Sequence, residues 1–352
     1  MRVAIDATAL VLSSGGLARY TAELSRALAE LNPGDEFALL SDRPFPMLEQ
    51  PPANLNSGGL PRHPCERKWW LWGVDREMSR QASELFHGTN FAVPYIPRRP
   101  SVVTIHDLSP WMNAEWRHDD GRVRRRTPLL VGLGIATMVI TPTEAVRKQV
   151  MEFFGVASPR VVAVPHGASE VFRPTEALGA TPYFLYAGTL EPRKNLHALV
   201  EAWRFVRGRH AVELVLAGRR REDFAELAPE PGLRILGEVS DHDLSHLYSG
   251  ALALVYPSCY EGFGLPVLEA MQCGACVMIS TDAALREVAG EAGVCLEGPK
   301  AWGEAMCAAV TNPAWLNEQR AKSLASAKQF SWARTAQITR AVYAEAQRRF
   351  DS

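Results

Sequence analysis

Short apolar runs alternate with helical patterns of apolar positions along the whole chain. This alternation is typical of parallel β-α-β units, in which each strand is covered on both faces and a helix returns the chain to the same edge. The pattern therefore predicts an α/β protein with two doubly wound sheets. The predicted strands lie near Val3–Asp6, Phe37–Leu40, Glu84–His87, Val102–His106, Met138–Thr141, Arg160–Val164, Tyr183–Ala187, Val212–Ala217, Leu233–Leu236, Ala251–Tyr256 and Cys276–Ser280. The predicted helices lie near Leu17–Ala29, Glu144–Phe154, Leu196–Arg207, Asp241–Ser249 and Pro266–Gln272.

The chain of 352 residues is long enough for two domains, because a typical domain has roughly 100 to 200 residues. A polar stretch at 169–180 separates strand-like runs and contains Pro174 and Gly179, which are typical of a linker. We therefore predict a first domain at 1–172 and a second at 173–330.

Acidic and basic residues nearly balance, with a formal net charge of -1. This balance argues against a general nucleic-acid-binding protein. The longest apolar run, 129–140, contains glycines and is shorter than the ~20 residues that span a bilayer. Met1 leads directly into the strand at Val3–Asp6 without a secretory leader. The sequence thus predicts a cytoplasmic protein.

The most informative segment has two glutamates, Glu261 and Glu269, spaced E-x7-E around a Gly-Phe-Gly turn. An apolar strand at 252–257 precedes this segment, and a helix with proline in its first turn follows at 266–271. Two glycines allow the backbone to approach a ligand closely. The turn therefore predicts a ligand that meets the start of a helix.

A helix N-terminus presents free N–H groups and partial positive charge, which suit an anion such as a diphosphate. Glu269, about one turn into the helix, can accept hydrogen bonds from sugar hydroxyls. We therefore predict a nucleotide-sugar pocket that includes Gly262, Phe263, Gly264, Leu265 and Glu269.

The E-x7-E spacing resembles the signature of the family 4 retaining glycosyltransferases, which have the GT-B fold. Four further segments occur in that family's order, and the resemblance covers almost the whole chain. It implies two Rossmann-like domains facing a central cleft, with the acceptor bound by the first domain and the nucleotide sugar by the second. It also implies that the C-terminal helix at 331–352 crosses back to the first domain. The four segments are Ser14–Tyr20, Val102–Asp107, Ala187–Asn195 and Leu236–Ser240.

Arg193 and Lys194 lie at a predicted turn between a strand and a helix. Two cations there offset the charge of a diphosphate and stabilise its departure. A solvated basic turn is the alternative interpretation. Many family members have an arginine directly after the glycine, whereas Thr189 follows Gly188 here, and we expect Arg193 to supply that guanidinium.

The first domain contributes two candidate sites. Gly15 and Gly16 lie in the loop after the first strand, where a glycine pair lets the backbone reach the transferred sugar or its phosphate. A simple tight turn is the alternative. His106 ends a strand, and its imidazole can donate a hydrogen bond to a sugar hydroxyl or a phosphate oxygen. Asp107 can orient this ring or hold the acceptor.

The resemblance implies that the departing phosphate takes the acceptor proton on the same face of the sugar. Glu261 then positions donor hydroxyls and supports positive charge at the anomeric centre. Double displacement with Glu261 as the nucleophile is the alternative. Base recognition is predicted to use backbone near Gly218 and Val239.

No metal or cofactor is predicted. Asp241-His-Asp243 has the spacing of a D-x-D metal motif, but Ser240 followed by Asp243 also matches the start of a helix, and we favour that interpretation.

Two segments of the first domain carry clustered cations. Segment 67–72 has one arginine and one lysine followed by three tryptophans, and segment 122–126 has four arginines. Indoles at a lipid boundary and arginines near anionic headgroups suit contact with the inner membrane surface and a lipid-linked acceptor. A packed helix and a solvated basic helix are equally compatible with the same residues.

The sequence therefore predicts a retaining, metal-independent glycosyltransferase of cell-surface polysaccharide synthesis. The similarity of 187–195 to a mannosyltransferase-like subgroup favours transfer of mannose from GDP-mannose to a saccharide acceptor. Two other classes remain open. They are a nucleotide-sugar 2-epimerase of the same fold and a saccharide-binding protein without catalysis.

Overall fold

The computed structural model describes residues 1–11, 15–116, 121–176 and 181–352. Its contacts define two compact units. The first contains the described residues of 1–112, 117–167 and 331–352, and the second contains those of 113–116 and 168–330. The division at 167/168 precedes the predicted boundary at 172/173. Ser14 of the predicted glycine loop and positions 177–180 of the predicted linker lie outside the described residues.

The first unit contains a parallel sheet with seven strands within the described residues, in the order β3-β2-β1-β4-β5-β6-β7. Each strand is short and mostly buried, as expected when helices cover both faces of a parallel sheet. The strands are β1 Arg2–Asp6, β2 Glu36–Leu40, β3 Leu55–Ser57, β4 Leu85–Gly88, β5 Ser101–Thr104, β6 Met138–Thr141 and β7 Val161–Ala163. The helices are α1 Gly16–Leu31, α2 Val74–Arg80, α3 Gly121–Gly132, α4 Glu144–Phe154 and, from the C-terminal segment, α11 Trp332–Phe350.

Helix α11 belongs to the first unit and is held there by a buried polar network. The hydroxyl of Tyr343 is 2.7 Å from Nδ1 of His87, and Nε2 of His87 is 2.8 Å from the hydroxyl of Thr104. The hydroxyl of Tyr20 on α1 also bonds to Thr104, at 2.9 Å. Burial lowers the pKa of His87 to about 3, so the ring stays neutral at physiological pH. The network therefore joins α1 and α11 to β4 and β5 without burying a charge.

The second unit contains a parallel sheet of six strands in its described part, in the order β10-β9-β8-β11-β12-β13. Its core includes Trp203 of α5 and Tyr256 of β11, both almost completely buried. The strands are β8 Tyr183–Ala187, β9 Glu213–Ala217, β10 Leu233–Gly237, β11 Ala253–Tyr256, β12 Cys276–Ile279 and β13 Gly293–Cys295. The helices are α5 Leu196–Arg207, α6 Asp241–Gly250, α7 Leu265–Gln272, α8 Ala283–Ala289, α9 Gly298–Thr311 and α10 Pro313–Ala327.

The predicted α/β class with two parallel sheets is confirmed, and every predicted strand and helix is present within a few residues of its predicted ends. The tryptophan-rich segment differs from an ordinary helix, because a 3-10 turn at Pro64–Arg67 is followed by a π-helical turn at Trp69–Gly73. The basic segment at 122–126 lies in α3. Across the described residues, no helix is both long and apolar enough to span a bilayer.

Candidate functional site

The E-x7-E segment joins the end of β11 to the start of α7. Gly264 is the N-cap of α7 and has a φ of 88°. An added Cβ at this position would lie 2.5 Å from Cδ2 of Leu285. Only glycine combines this left-handed backbone with such a close neighbour at low cost. Glu261 therefore precedes a helix start that depends on glycine, and Glu269 lies within the helix.

Glu261 lies in a buried cluster of charges. One carboxylate oxygen is paired with Nζ of Lys194, and the other is 3.1 Å from Nη1 of Arg193. Glu261 and Lys194 are 7% and 5% exposed, so solvent screens the pair weakly. The hydroxyl of Tyr256 accepts a hydrogen bond from Lys194 at 3.0 Å. The structure thus brings Glu261 into contact with Arg193 and Lys194, which lie 68 and 67 positions earlier in the sequence.

The charge cluster extends through Glu191, which the sequence interpretation missed as a site residue. Its carboxylate is 2.8 Å from Nη2 of Arg193 and 3.2 Å from Nη1 of Arg221. Arg221 also donates to the carbonyls of Glu115 and Trp116, at 2.8 and 3.3 Å. Glu191 lies inside segment 187–195, which resembles the family, so the sequence could have indicated it. No motif in the sequence indicated Arg221, because its role depends on a contact between distant segments.

Segment 113–116 packs within the second unit beside this cluster. The ring of Trp116 is stacked on Tyr260, with centroids 6.1 Å apart and an interplanar angle of 7°. The carbonyl of Tyr260 accepts a hydrogen bond from Arg193 at 2.6 Å. Trp116 therefore covers a residue that directly positions the guanidinium of Arg193.

The neighbouring cations keep Glu261 ionised. Burial alone would raise the pKa of this carboxyl, but the charges of Lys194 and Arg193 outweigh burial and lower it to about 2. Burial lowers the pKa of Lys194, with the Arg193 charge acting in the same direction and Glu261 opposing both. At neutral pH Glu261 is therefore an anion flanked by the side chains of Lys194 and Arg193.

The pKa of Glu261 predicts loss of stability in acid. Its pKa in the folded protein is about 2, below the ordinary value of about 4.3 in an unfolded chain. The stabilisation is complete above pH 4.3 and is lost as the pH falls toward 2. We expect a loss of about 3 kcal/mol from this group. Urea unfolding of the native chain and of Glu261→Gln at pH 6, 4 and 2.5 measures it. If the difference in the free energy of unfolding between the native chain and Glu261→Gln is the same at all three pH values, the lowered pKa of Glu261 is contradicted.

Glu269 is also buried, at 2% exposure, on α7. Its Oε2 accepts a hydrogen bond from the hydroxyl of Tyr248 at 3.0 Å. The sequence predicted that Glu269 accepts hydrogen bonds from sugar hydroxyls, and this stays a prediction. Tyr248 therefore fixes the orientation of the carboxylate.

The ends of β8 and β9 meet through glycines. Gly188 and Gly218 have φ values of 136° and 142°, and the N–H of Gly218 donates to the carbonyl of Gly237 at 2.7 Å. The carbonyl of Thr189 accepts a hydrogen bond from Tyr186. Val239 is half-buried against the core of the second unit. Gly188, Thr189, Gly218 and Val239 therefore lie near the carboxyl ends of neighbouring strands. Backbone groups are their main polar surface.

The other predicted site residues, Gly15, Gly16 and His106, belong to the first unit. Gly15 and Gly16 are exposed at the start of α1. Nε2 of His106 is 2.8 Å from the carbonyl of Thr89. A carbonyl only accepts, so Nε2 carries the proton. Burial lowers the pKa of His106, and its neutral Nδ1 is an acceptor. The predicted donation from His106 to a ligand stays a prediction and requires a proton on Nδ1, because Nε2 already donates to Thr89.

The D-x-D segment forms a helix start, as the sequence predicted. The hydroxyl of Ser240 accepts the N–H of Asp243 at 3.1 Å and caps α6. The pattern of Ser240 and the acidic first turn is therefore explained by capping.

Comparisons with known proteins show similarity to glycosyltransferases. The profile described as "Glycosyltransferase Family 4" matches residues 14–170, and the one described as "Glycosyl transferases group 1" matches 181–312. The O-antigen chain mannosyltransferase B of Escherichia coli is 34% identical over 271 residues, which cover 70% of this chain and 71% of that protein. The serotype-specific mannosyltransferase WbdA of Escherichia coli is 30% identical over 275 residues, covering 68% of this chain and 32% of that protein.

Solved structures of low sequence identity share the fold. Sucrose-phosphate synthase from Thermosynechococcus elongatus superposes with a TM-score of 0.78 at 19% identity, and each chain is covered to 98%. WaaG, a glycosyltransferase involved in lipopolysaccharide biosynthesis, superposes with a TM-score of 0.69 at 14% identity, with 97% of this chain and 99% of WaaG covered. The likeness confirms the predicted GT-B fold class.

Proposed function

The chain belongs to the family 4 glycosyltransferases, and from this premise we propose that it transfers mannose from GDP-mannose to a saccharide acceptor with retention of configuration. The observation that carries the proposal is the buried Lys194–Glu261–Arg193 cluster beside the glycine-capped start of α7. Two cations and the partial positive charge of a helix N-terminus together suit a diphosphate. The choice of mannose rests on the mannosyltransferase relatives.

In the proposed reaction, the bond between the anomeric carbon and the diphosphate oxygen breaks, and the acceptor oxygen bonds to that carbon on the same face. The acceptor proton passes to the departing diphosphate. Arg193 and Lys194 stabilise the charge that develops on this leaving group. They also supply charge compensation that a divalent metal provides in other transferases, which supports metal-independent transfer.

Glu261 is better suited to electrostatic support than to nucleophilic attack. Both of its oxygens are paired with cations, and a carboxylate with a pKa of about 2 is a weak nucleophile. We therefore favour a role in which Glu261 positions the donor sugar and stabilises positive charge at the anomeric centre.

A lipid-linked acceptor forms the finer part of the proposal. Leu129 and Leu133, at the end of the basic helix α3, are 58% and 72% exposed. Arg98 lies over the ring of the exposed Trp72, 5.8 Å from its centroid. Exposed apolar side chains, an indole and arginines in one unit suit the inner surface of a membrane. These features support peripheral contact with anionic lipid.

The proposed function is tested by turnover with single nucleotide sugars. We expect release of GDP from GDP-mannose that depends on an added acceptor glycoside, an α-linked product by NMR, and unchanged rates with EDTA. Epimerised sugar without acceptor identifies the 2-epimerase instead. Thermal stabilisation by GDP-mannose without turnover of any nucleotide sugar identifies a binding protein. Turnover of UDP-glucose in preference to GDP-mannose rejects the proposed donor.

Glu269→Gln is expected to weaken GDP-mannose binding by about 10- to 100-fold, because a charged hydrogen-bond acceptor is worth about 1.5–3 kcal/mol. The glutamine oxygen can still accept the hydroxyl of Tyr248, so the fold is preserved. Calorimetry with GDP-mannose and with GDP measures the effect, which we expect to be larger for the sugar nucleotide. Glu304→Gln on α9 is the control. Equal affinities for native and Glu269→Gln protein contradict the role of Glu269.

A further inference from the structure

The guanidinium of Arg193 is fixed by acceptors on two sides. On one side, its Nη1 donates to the carbonyl of Tyr260 at 2.6 Å and to the carboxylate of the next residue, Glu261, at 3.1 Å. On the other side, its Nη2 donates to Glu191 at 2.8 Å. Because a guanidinium is planar and rigid, acceptors at both Nη atoms fix its orientation. The orientation of Arg193 therefore depends on the residues that hold Tyr260 and Glu191 in place.

Segment 113–116 contacts the first side through Trp116. The indole is stacked on the ring of Tyr260, with centroids 6.1 Å apart and an interplanar angle of 7°. Tyr260 is buried, so its ring is held between this indole and the rest of the second unit. An aromatic pair of this kind restricts the movement of both rings. Trp116 therefore stabilises the stretch of backbone to which Arg193 donates.

The same segment contacts the second side through Arg221. A single 3-10 turn ends the segment, and so short a turn cannot pair its own last carbonyls. Arg221 donates to the carbonyls of Glu115 and Trp116 at 2.8 and 3.3 Å. Its Nη1 also donates to Glu191 at 3.2 Å. Arg221 thus joins the segment to the carboxylate that holds Arg193.

The shared carboxylate of Glu191 also affects the charge that Arg193 presents. A carboxylate paired with one guanidinium compensates much of its charge, whereas a carboxylate between two guanidiniums compensates each of them less. Glu191 is buried, so solvent screens these interactions weakly. Without Arg221, Glu191 would compensate more of the charge of Arg193, and less positive charge would face a leaving group.

We propose that segment 113–116 sets the orientation of Arg193 for catalysis, with Trp116 and Arg221 as positioning residues. The inference rests on the proposed function and adds residues that act on the leaving diphosphate through Arg193, without touching the substrate. A group that stabilises developing charge is most effective when it is oriented before the reaction, because reorientation costs free energy. A purely structural role for the same contacts would change stability, but its effect would not depend on Arg193.

The test is a double-mutant cycle between Arg221→Gln and Arg193→Gln. It is read as kcat with GDP-mannose and the octyl mannoside, glucoside or galactoside that the native chain uses best, at a temperature well below the Tm of each variant. We expect Arg221→Gln to lower kcat about 10- to 100-fold, the loss typical of removing a residue that orients a functional group. In a chain that already carries Arg193→Gln, the same change should lower kcat less than about twofold. Losses that multiply, or an unchanged kcat in Arg221→Gln, overturn the proposal.

Trp116 is tested independently with two variants. Trp116→Ala removes the stack and should lower kcat at least about fivefold, whereas Trp116→Phe keeps a ring on Tyr260 and should recover most of that loss. Equal kcat values for Trp116→Ala and the native chain, or for Trp116→Ala and Trp116→Phe, overturn the role of the stack. Arg220→Gln is the matched control for Arg221→Gln and should leave kcat unchanged, because the Arg220 side chain is 50% exposed and pairs with Glu226 at the surface.

Failure of the proposed function gives a different result. If the native chain transfers no mannose from GDP-mannose, that function fails, and the same cycle is read as affinity for GDP, UDP and ADP by titration calorimetry. Arg221→Gln should then weaken binding of the nucleotide that the native chain holds, with little further weakening in the Arg193→Gln chain. That result supports the positioning role. Additive losses, unchanged affinity, or absence of binding by all three nucleotides overturns it.

Discussion

Lys194→Met is expected to lower the free energy of unfolding by about 3–5 kcal/mol, the cost of breaking a buried ion pair by removing one partner. Methionine fills the space of the lysine but leaves Glu261 with Arg193 alone, and it removes the hydrogen bond to Tyr256. Transfer from GDP-mannose should fall by about 10²- to 10³-fold, because a group that stabilises the leaving diphosphate is lost. Guanidinium unfolding and single-turnover rates at saturating donor measure the two effects.

The control for Lys194→Met is Lys300→Met on α9. Lys300 is 89% exposed and lies 3.8 Å from Glu304 in an i,i+4 pair. Such surface pairs contribute little to stability, so we expect no measurable change in unfolding or in rate. A destabilisation by Lys194→Met no larger than that of this control shows that the cluster does not couple Lys194 to Glu261. Normal transfer by a folded Lys194→Met protein rejects the catalytic role.

Gly218→Ala is expected to cost about 3 kcal/mol or more and to weaken nucleotide binding at least about tenfold. An added Cβ would lie 2.0 Å from the carbonyl oxygen of Gly188, and the φ of 142° disfavours any side chain. Because the obstacle is backbone, relief requires the ends of β8 and β9 to separate at the predicted base-binding edge. Chemical unfolding and calorimetry with GDP measure the change.

Gly298→Ala separates backbone strain from this collision. Gly298 also has a positive φ, 77°, but an added Cβ there meets no atom within 4 Å. We expect a cost of about 1–2 kcal/mol from the left-handed backbone and unchanged GDP binding. Similar results for both variants contradict a specific role for the Gly218–Gly188 approach.

The local sequence pattern was sufficient to predict the bounds of an element where that element is strongly apolar and clearly bounded. The bounds predicted for β6 and for the helices α4 and α5 agree with the structure. Strand β3 was missed because Leu55–Ser57 contains a single apolar residue. This strand is defined by its parallel pairing with β2, which the local sequence does not show. The π-helical turn at Trp69–Gly73 was missed because a run of large apolar residues has no period that distinguishes it from a helix.

In the candidate site, too, some features were predictable from the local sequence and others were not. The E-x7-E spacing identified Glu261 and Glu269, because the motif is contiguous and its glycines imply a close approach to a ligand. The contacts of these carboxylates were not predictable, since Tyr248 and Lys194 come from other elements. The tautomer of His106 likewise depends on the carbonyl of Thr89, which is distant in sequence.

The amino-acid sequence by itself determined the α/β class, the order of the main strands and helices, and the family signature, because these depend on periodicity and on residues close together in the chain. Tertiary structure alone decided that Arg221 and Glu191 extend the charge cluster and that Trp116 stacks on Tyr260. The physical reason is that burial and charge pairing depend on which segments meet after folding. Those contacts set the pKa values and hydrogen bonds from which the chemistry follows.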